Sequence, residues 1–399
     1  MSATDRPKLG RNVMALSAVS FLTDVSSEMI YPLLPVFLTT VLGANASFIG
    51  AIEGAAETTA ALLKLASGWW SDRVRKRKPL VFWGYAIASV MRPLVAIATS
   101  AVQVLGIRVA DRVGKGIRNA PRDALISESV DPSIRGRAFG FQRAADNAGG
   151  VVGPLIAFAV LTWHFAGLRT VFWLAAIPGA LAVLVVAFVV RDIPRDAQAP
   201  SKPGLDLSLP LGARFWRVLV VIFVFTLGNS TDAFLLLRAS QLGVAITLAP
   251  VLWAELHLVK TASNTPGGAL SDRIGRRPTL IAGWALYAAV YLGFGLAHAA
   301  WQAWALFGVY GLFFGLTEGS ERALMADLVV PERRGTAYGW YNLAIGIGAL
   351  PASLMFGYVW DHFGAPTAFL MGATLALIAA VGLLAVTAGG QQQRLPGRS

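Results

Sequence analysis

The segment GWWSDRVRKRKP, beginning at Gly68, returns 200 residues later as GALSDRIGRRP, beginning at Gly268, and each copy lies between two long apolar stretches. A second pair, PSIRGRAFGF from Pro132 and PERRGTAYGW from Pro331, repeats at an offset of 199. Two unrelated segments agreeing on the offset to within one residue make the chain two copies of a membrane-embedded unit. Stretches poor in charge and long enough to cross ~30 Å of hydrocarbon, at ~1.5 Å per helical residue, recur throughout. They are 13–41, 47–70, 80–100, 102–126, 137–162, 170–190, 217–237, 248–270, 279–298, 302–326, 337–360 and 367–388, six in each half. The expected fold is all-α and integral to the membrane, with twelve transmembrane helices in two six-helix bundles. Residues 1–190 form the first bundle, 191–216 a linker rich in proline and charge, and 217–399 the second bundle with a disordered tail after Gly389. With 55% hydrophobic and only 14% charged residues, a soluble surface cannot be built. The N-terminal MSATDRPKLGRN has no short apolar core with a small-residue cleavage site, so the first apolar stretch is expected to stay as a helix.

A net charge of +12 could suggest nucleic acid, but its placement gives a different account. Of the 34 Lys and Arg residues, 22 fall at the termini, the linker and the loops of one face, and only Arg169 and Arg238 at the other. By the positive-inside rule the termini and linker are expected in the cytoplasm.

These features resemble the major facilitator superfamily of secondary transporters over nearly the whole chain. That family's pattern between helices 2 and 3, G-x-x-x-D-R/K-x-G-x-R/K-R/K, is matched by Gly68, Asp72, Arg73, Lys76, Arg77 and Lys78, with Arg75 in place of the glycine. The second copy, Gly268, Asp272, Arg273, Gly275, Arg276 and Arg277, keeps that glycine. The resemblance implies that the aspartate meets the positive N-terminal end of a helix from the other half and holds the cytoplasmic gate shut. It also implies a cavity-facing, proton-linked role for Arg112, from Arg112-Val113-Gly114-Lys115-Gly116 set against the family's R-x-x-Q-G. Gly149-x-x-x-Gly153-Pro154 resembles the antiporter signature G-x-x-x-G-P-x-x-G-G in part, since Ala157 and Phe158 occupy its last two positions. Small residues also serve simply to pack membrane helices.

Ionisable groups at depth are costly and mark function unless they pair. Eleven acids and ten bases lie within the spans, seven and eight of them in the first half. Asp24 and Glu28 are one turn apart on helix 1, as are Glu53 and Glu57 on helix 2, with Lys64 further along that stripe. Counting from the span starts puts Asp24 and Glu57 about 15 Å deep. Clustered carboxylates in a poorly solvated place repel, which suits a proton carrier, so Asp24, Glu28, Glu53, Glu57 and Arg112 are the proton-coupling candidates. On helix 4, Arg108, Arg112, Lys115, Arg118 and Arg122 form a cationic stripe. It can supply internal counter-ions, dock an anionic substrate, or snorkel to the cytoplasmic surface. Arg108, Arg112 and Lys115, with Asp146 on helix 5 and Asp232 on helix 7, are the substrate-binding candidates. Glu318 and Glu321 are expected near the cytoplasmic exit, paired with Arg322 or loop bases.

No enzyme is expected: His164, His257, His298 and His362 have no metal-ligand spacing, there is no cysteine, and no nucleotide-binding domain is appended. No metal, cofactor or nucleic-acid partner is expected. The expectation is a monomeric, multi-pass inner-membrane transporter in the lipid bilayer that exports a small solute against protons by alternating access. Proton-coupled uptake or exchange of an organic anion, and lipid flipping, are the alternatives.

Overall fold

Inside a bilayer every backbone N–H and C=O must find its partner within the chain, and a long apolar segment does so as a helix. The computed structural model describes residues 9–71, 73–74, 76–131, 134–163, 167–193 and 210–388, without the side chains of Trp69, Glu332, Thr387 and Ala388. Among these residues the chain forms twelve helical spans. In the first half they are α1 (Arg11–Val41), α2 (Ala46–Ser71), α3 (Lys78–Ile97), α4 (Ala101–Glu128), α5 (Arg135–Thr162) and α6 (Leu168–Phe188). In the second they are α7 (Ala213–Gln241), α8 (Ala249–Ile274), α9 (Arg276–Leu296), α10 (Ala300–Asp327), α11 (Arg334–Phe363) and α12 (Ala365–Ala388). Eight are long and apolar enough to cross a membrane by length and composition. The other four are α2, α4, α8 and α10, which carry most of the charge at depth. Asp72, Arg75, His164, most of the linker and the tail after Gly389 lie outside the described residues.

The repeat seen in the sequence is a repeat in packing. α1 packs on α5 as α7 does on α11, α2 on α4 as α8 on α10, and α3 on α6 as α9 on α12. The halves meet along two seams that the repeat also exchanges, α2 on α11 and α5 on α8. The duplicated loop differs in one respect. In the second copy α8 ends at Ile274 and α9 begins at Arg276, with Gly275 at φ +100 turning the chain alone. A side chain is strained at that φ. Where Arg75 replaces the glycine, the connection is longer, from Ser71 to Lys78.

Two helices expected to be continuous are interrupted. In α1 the ladder changes at Tyr31–Leu33, where Pro32 has no N–H to give. α7 runs from Ala213, inside the expected linker, to Gly228, opens over Asn229–Asp232, and resumes at Ala233. The breaks come at equivalent points of the repeat and touch, Tyr31 Oη lying 3.4 Å from Thr231 Oγ1. Unwound backbone at depth persists where it lines a polar space.

The face bearing the basic loops is called here the basic face. Close approaches between the halves run from the other, opposite face to the middle. A Cβ on Gly50 would lie 2.2 Å from Ser353 O, and one on Gly54 2.8 Å from Leu350 Cα. Thr58 Oγ1 donates to Gly346 O at 2.6 Å, and Trp253 Nε1 donates to Glu28 Oε2 at 2.7 Å. The opposite face is therefore closed, and the space between the bundles widens toward the basic face.

Candidate functional site

That space contains a cavity of 540 Å³, within the usual range of about 300–1,000 Å³ for small-molecule sites. Both helix breaks line it, through Tyr31 and Asn229–Asp232. Phe225, Tyr310, Phe313 and Phe314 supply aromatic walls, and five carboxylates reach it: Glu53, Glu57, Asp232, Glu318 and Glu321. Lys260 and Arg322 are the cations on its wall.

Three of the five acids are neutralised by direct pairing. Glu53 is 3% exposed. It accepts from both Arg108 Nε at 2.9 Å and Nη2 at 2.6 Å, a bidentate pair. One turn on, Arg112 Nη2 lies 3.1 Å from Glu57 Oε1, but half of the Glu57 side chain, 49%, is open to the cavity. Glu318 lies 3.7 Å from Lys260 Nζ and 4.0 Å from Arg322 Nη2. The Lys260 ammonium also sits 4.1 Å above the Phe314 ring, so a cation already rests on this aromatic wall.

The other two acids have no ion pair among the described residues. Asp232 accepts from Tyr310 Oη at 2.7 Å, and Lys260, held by Glu318, acts on it only at longer range. Glu321 lies beside Tyr341, and Arg322 acts on it only at longer range.

Behind the cavity, α4 belongs to a network that balances itself. Arg92 donates to Asp111 Oδ1 at 3.0 Å and to the Thr23 carbonyl at 2.9 Å, while Arg108 and Arg112 approach Asp111 Oδ2 at 3.8 and 4.0 Å. Glu53, Glu57 and Asp111 thus oppose Arg92, Arg108 and Arg112. Arg108, Arg112, Lys115 and Asp146 are not among the residues lining the cavity; of the expected substrate group, Asp232 alone is. Arg118 packs over the Tyr85 ring at 4.3 Å, and Arg122 pairs with Asp123 at 2.9 Å. Asp146 is held by Gln142 Nε2 at 2.7 Å.

Asp24 has no hydrogen bond or ion pair to its carboxylate among the described residues; Asp146, Glu28, Lys115 and Arg118 are the charges acting on it. Lys115 likewise has no direct partner among the described residues; Arg112 repels it, while Glu57 and Asp24 attract it. Gly149 and Gly153 bring α5 against α1 here, since a Cβ on either would lie 2.6 Å from a carbonyl oxygen of α1. Glu28 sits in the seam instead, on Trp253 and 3.9 Å from His257 Nε2.

At the basic face Arg73 and Arg273 are exposed, and Gly68 and Gly268 have room for a Cβ. Asp272 bonds Arg276 of its own half, and Arg276 also approaches Asp327 at 3.8 Å. Among the described residues Asp272 makes no hydrogen bond or ion pair with the other half. Lys260, Tyr310 and Tyr341 were not singled out as site residues from sequence. A break in α7 beside Asp232 was the only signal for them, and Asn229-Ser230-Thr231-Asp232 does read as a turn.

A profile of the Major Facilitator Superfamily matches residues 16–257 and 238–398. An uncharacterised MFS-type transporter of Methanocaldococcus jannaschii is 34% identical over 94% of this chain and 95% of its own. A more distant relative, the multidrug resistance protein MdtH of Photorhabdus laumondii, is 26% identical over 84% of this chain and 82% of its own. The crystal structure of a mutant of the nucleoside transporter NupG superposes with a TM-score of 0.80 at 15% identity, over 94% of this chain and 99% of that one, a likeness of fold.

Proposed function

Because this chain belongs to the major facilitator superfamily of membrane transporters, we propose that it exports a small organic cation in exchange for protons, by alternating access of the cavity between α1 and α7. The observation that carries this reading is the charge balance of the cavity wall. Among the described residues Glu53, Glu57 and Glu318 each lie within ion-pair distance of a cation, whereas Asp232 and Glu321 do not, with Lys260 and Arg322 acting on them only at longer range. A cavity that must close and reopen across a membrane cannot carry uncompensated charge at modest cost. Protons or a cationic solute can each neutralise these two acids. Competition for one site is what allows an inward proton gradient to expel a solute. The aromatic walls suit a cation with an apolar body, and the relative named for multidrug resistance is consistent with export.

Asp24 fits the proton side. When Asp24 takes a proton, Lys115 is released to attract Glu57, and the Glu57–Arg112 pair on the cavity wall is disturbed. The anion alternative has less support, because Arg108 and Arg112 are engaged by Glu53 and Glu57. On this reading the basic face is cytoplasmic, as the distribution of Lys and Arg implies, the chain works as a monomer in the inner membrane, and residues 1–190 and 217–399 are its two moving bundles.

Binding of a lipophilic cation such as tetraphenylphosphonium to the purified protein tests this. We expect protons to be released on binding in weakly buffered solution, and Asp232→Asn to weaken binding at least tenfold. Tyr310→Phe, which removes the hydroxyl that orients Asp232, should weaken it by a few-fold. Equal affinity for the cation in wild type and Asp232→Asn, with no proton release, would exclude the shared site.

A further inference from the structure

The opposite face is closed by a contact that the cavity does not use. α2 begins at Ala46, and the amides of its first turn have no partner within the helix. Asn45 Oδ1 accepts one of them, from Phe48, at 3.0 Å. Two others are taken by the second half of the molecule. Ala46 N donates to Asp361 Oδ1 at 2.9 Å, Ser47 N donates to Oδ2 at 2.8 Å, and Ser47 Oγ donates to Oδ2 at 2.5 Å. A carboxylate near the end of α11 thus completes the cap of α2. Directly below, the helices meet backbone to backbone, since a Cβ on Gly357 would lie 2.6 Å from Ala46 O.

We propose that Asp361 is a gating latch of the opposite face, holding the state open to the basic face until the bundles rock apart. Its charge matters as well as its hydrogen bonds, because a carboxylate at a helix N-terminus is favoured by the helix dipole. Asp361 is solvent-exposed, so on opening, water replaces both partners. The contact biases the equilibrium without locking it, as a transporter that visits both states requires. The family resemblance gives Asp72 the same chemistry at the basic face. Asp361 lies outside the duplicated loop and serves the other gate, with the halves exchanging roles: here the second half supplies the carboxylate and the first half the helix. The inference holds for any solute and any coupling ion.

The test is a distance measurement on the full chain in lipid without solute. One spin-label pair at Val41 and Phe363 spans the opposite face, and a second at Phe141 and Leu270 spans the basic face. Asp361→Ala should lower the ratio of opposite-face-closed to opposite-face-open molecules roughly tenfold. Asp361→Asn, which keeps an acceptor and loses the charge, should fall between Asp361→Ala and wild type, and Ser47→Ala should have a smaller effect. Should Asp361→Ala fail to fold, Asp361→Asn carries the same reading. Gly50→Val is the control, because its side chain would push α2 from α11. Wild-type distances at both faces in Asp361→Ala and Asp361→Asn, with Gly50→Val shifted, would overturn the proposal.

Discussion

Asp24→Asn is expected to abolish solute accumulation driven by a pH gradient while leaving solute binding and passive exchange intact. Asparagine has the shape of the protonated carboxyl and cannot release a proton, so the variant is held in one protonation state. Asp24 is suited to this role because nothing binds its carboxylate directly, while Asp146 and Glu28 repel its charge and Lys115 and Arg118 attract it. A fixed partner would make it a permanent ion pair; a group balanced between like and opposite charges can change state in each cycle. Glu57→Gln should act differently. It removes the partner of Arg112 on the cavity wall, so its effect should appear in solute affinity as well as in coupling. Counterflow measured beside gradient-driven uptake in the same vesicles separates these outcomes. If Asp24→Asn accumulates solute like wild type, the coupling proton is carried elsewhere, with Asp232 next.

Glu53→Gln should be the most destabilising single substitution in the first half. It leaves the buried Arg108 without its bidentate partner, and breaking a buried pair in this way costs about 3–5 kcal/mol. The loss should be read as a fall in the thermal midpoint of purified protein and in membrane yield. Glu53→Gln combined with Arg108→Gln should regain part of it, because the uncompensated charge is then removed as well. A midpoint unchanged in Glu53→Gln would mean that Asp111, 3.8 Å from Arg108, carries the balance alone.

Depth counting from the sequence singled out Asp24 and Glu57, but depth alone does not say which acid is paired. Depth is shared by every side chain at one level of a helix, whereas the partner depends on rotation about the helix axis and on which helix lies opposite. Spacing along α4 made a stripe of five cations legible. That Arg108 and Arg112 face Glu53 and Glu57 follows from α2 packing on α4, a tertiary fact. The twelve spans were legible because hydrocarbon demands length and apolarity in a way that survives charged insertions such as those of α4. The break in α7 was hidden inside an apolar window, since Asn229–Asp232 is only four residues long and flanked by Phe225 and Phe234. Without that break, the aromatic walls and the tyrosines beside Asp232 and Glu321 could not be assigned to one cavity. Gly149 and Gly153 read from sequence as an antiporter signature or as packing. They do pack α5 on α1, beside the acid proposed to carry the proton.

The central claim, exchange of protons for an organic cation, is tested most directly in liposomes holding the purified protein with an imposed pH gradient, challenged with matched cationic, neutral and anionic aromatic solutes. The account predicts that the cation alone moves up its gradient, toward the acidic side, and that collapsing the pH gradient stops it. Gradient-driven movement of the anion with the proton, or cation movement unaffected by collapse of the gradient, would contradict it.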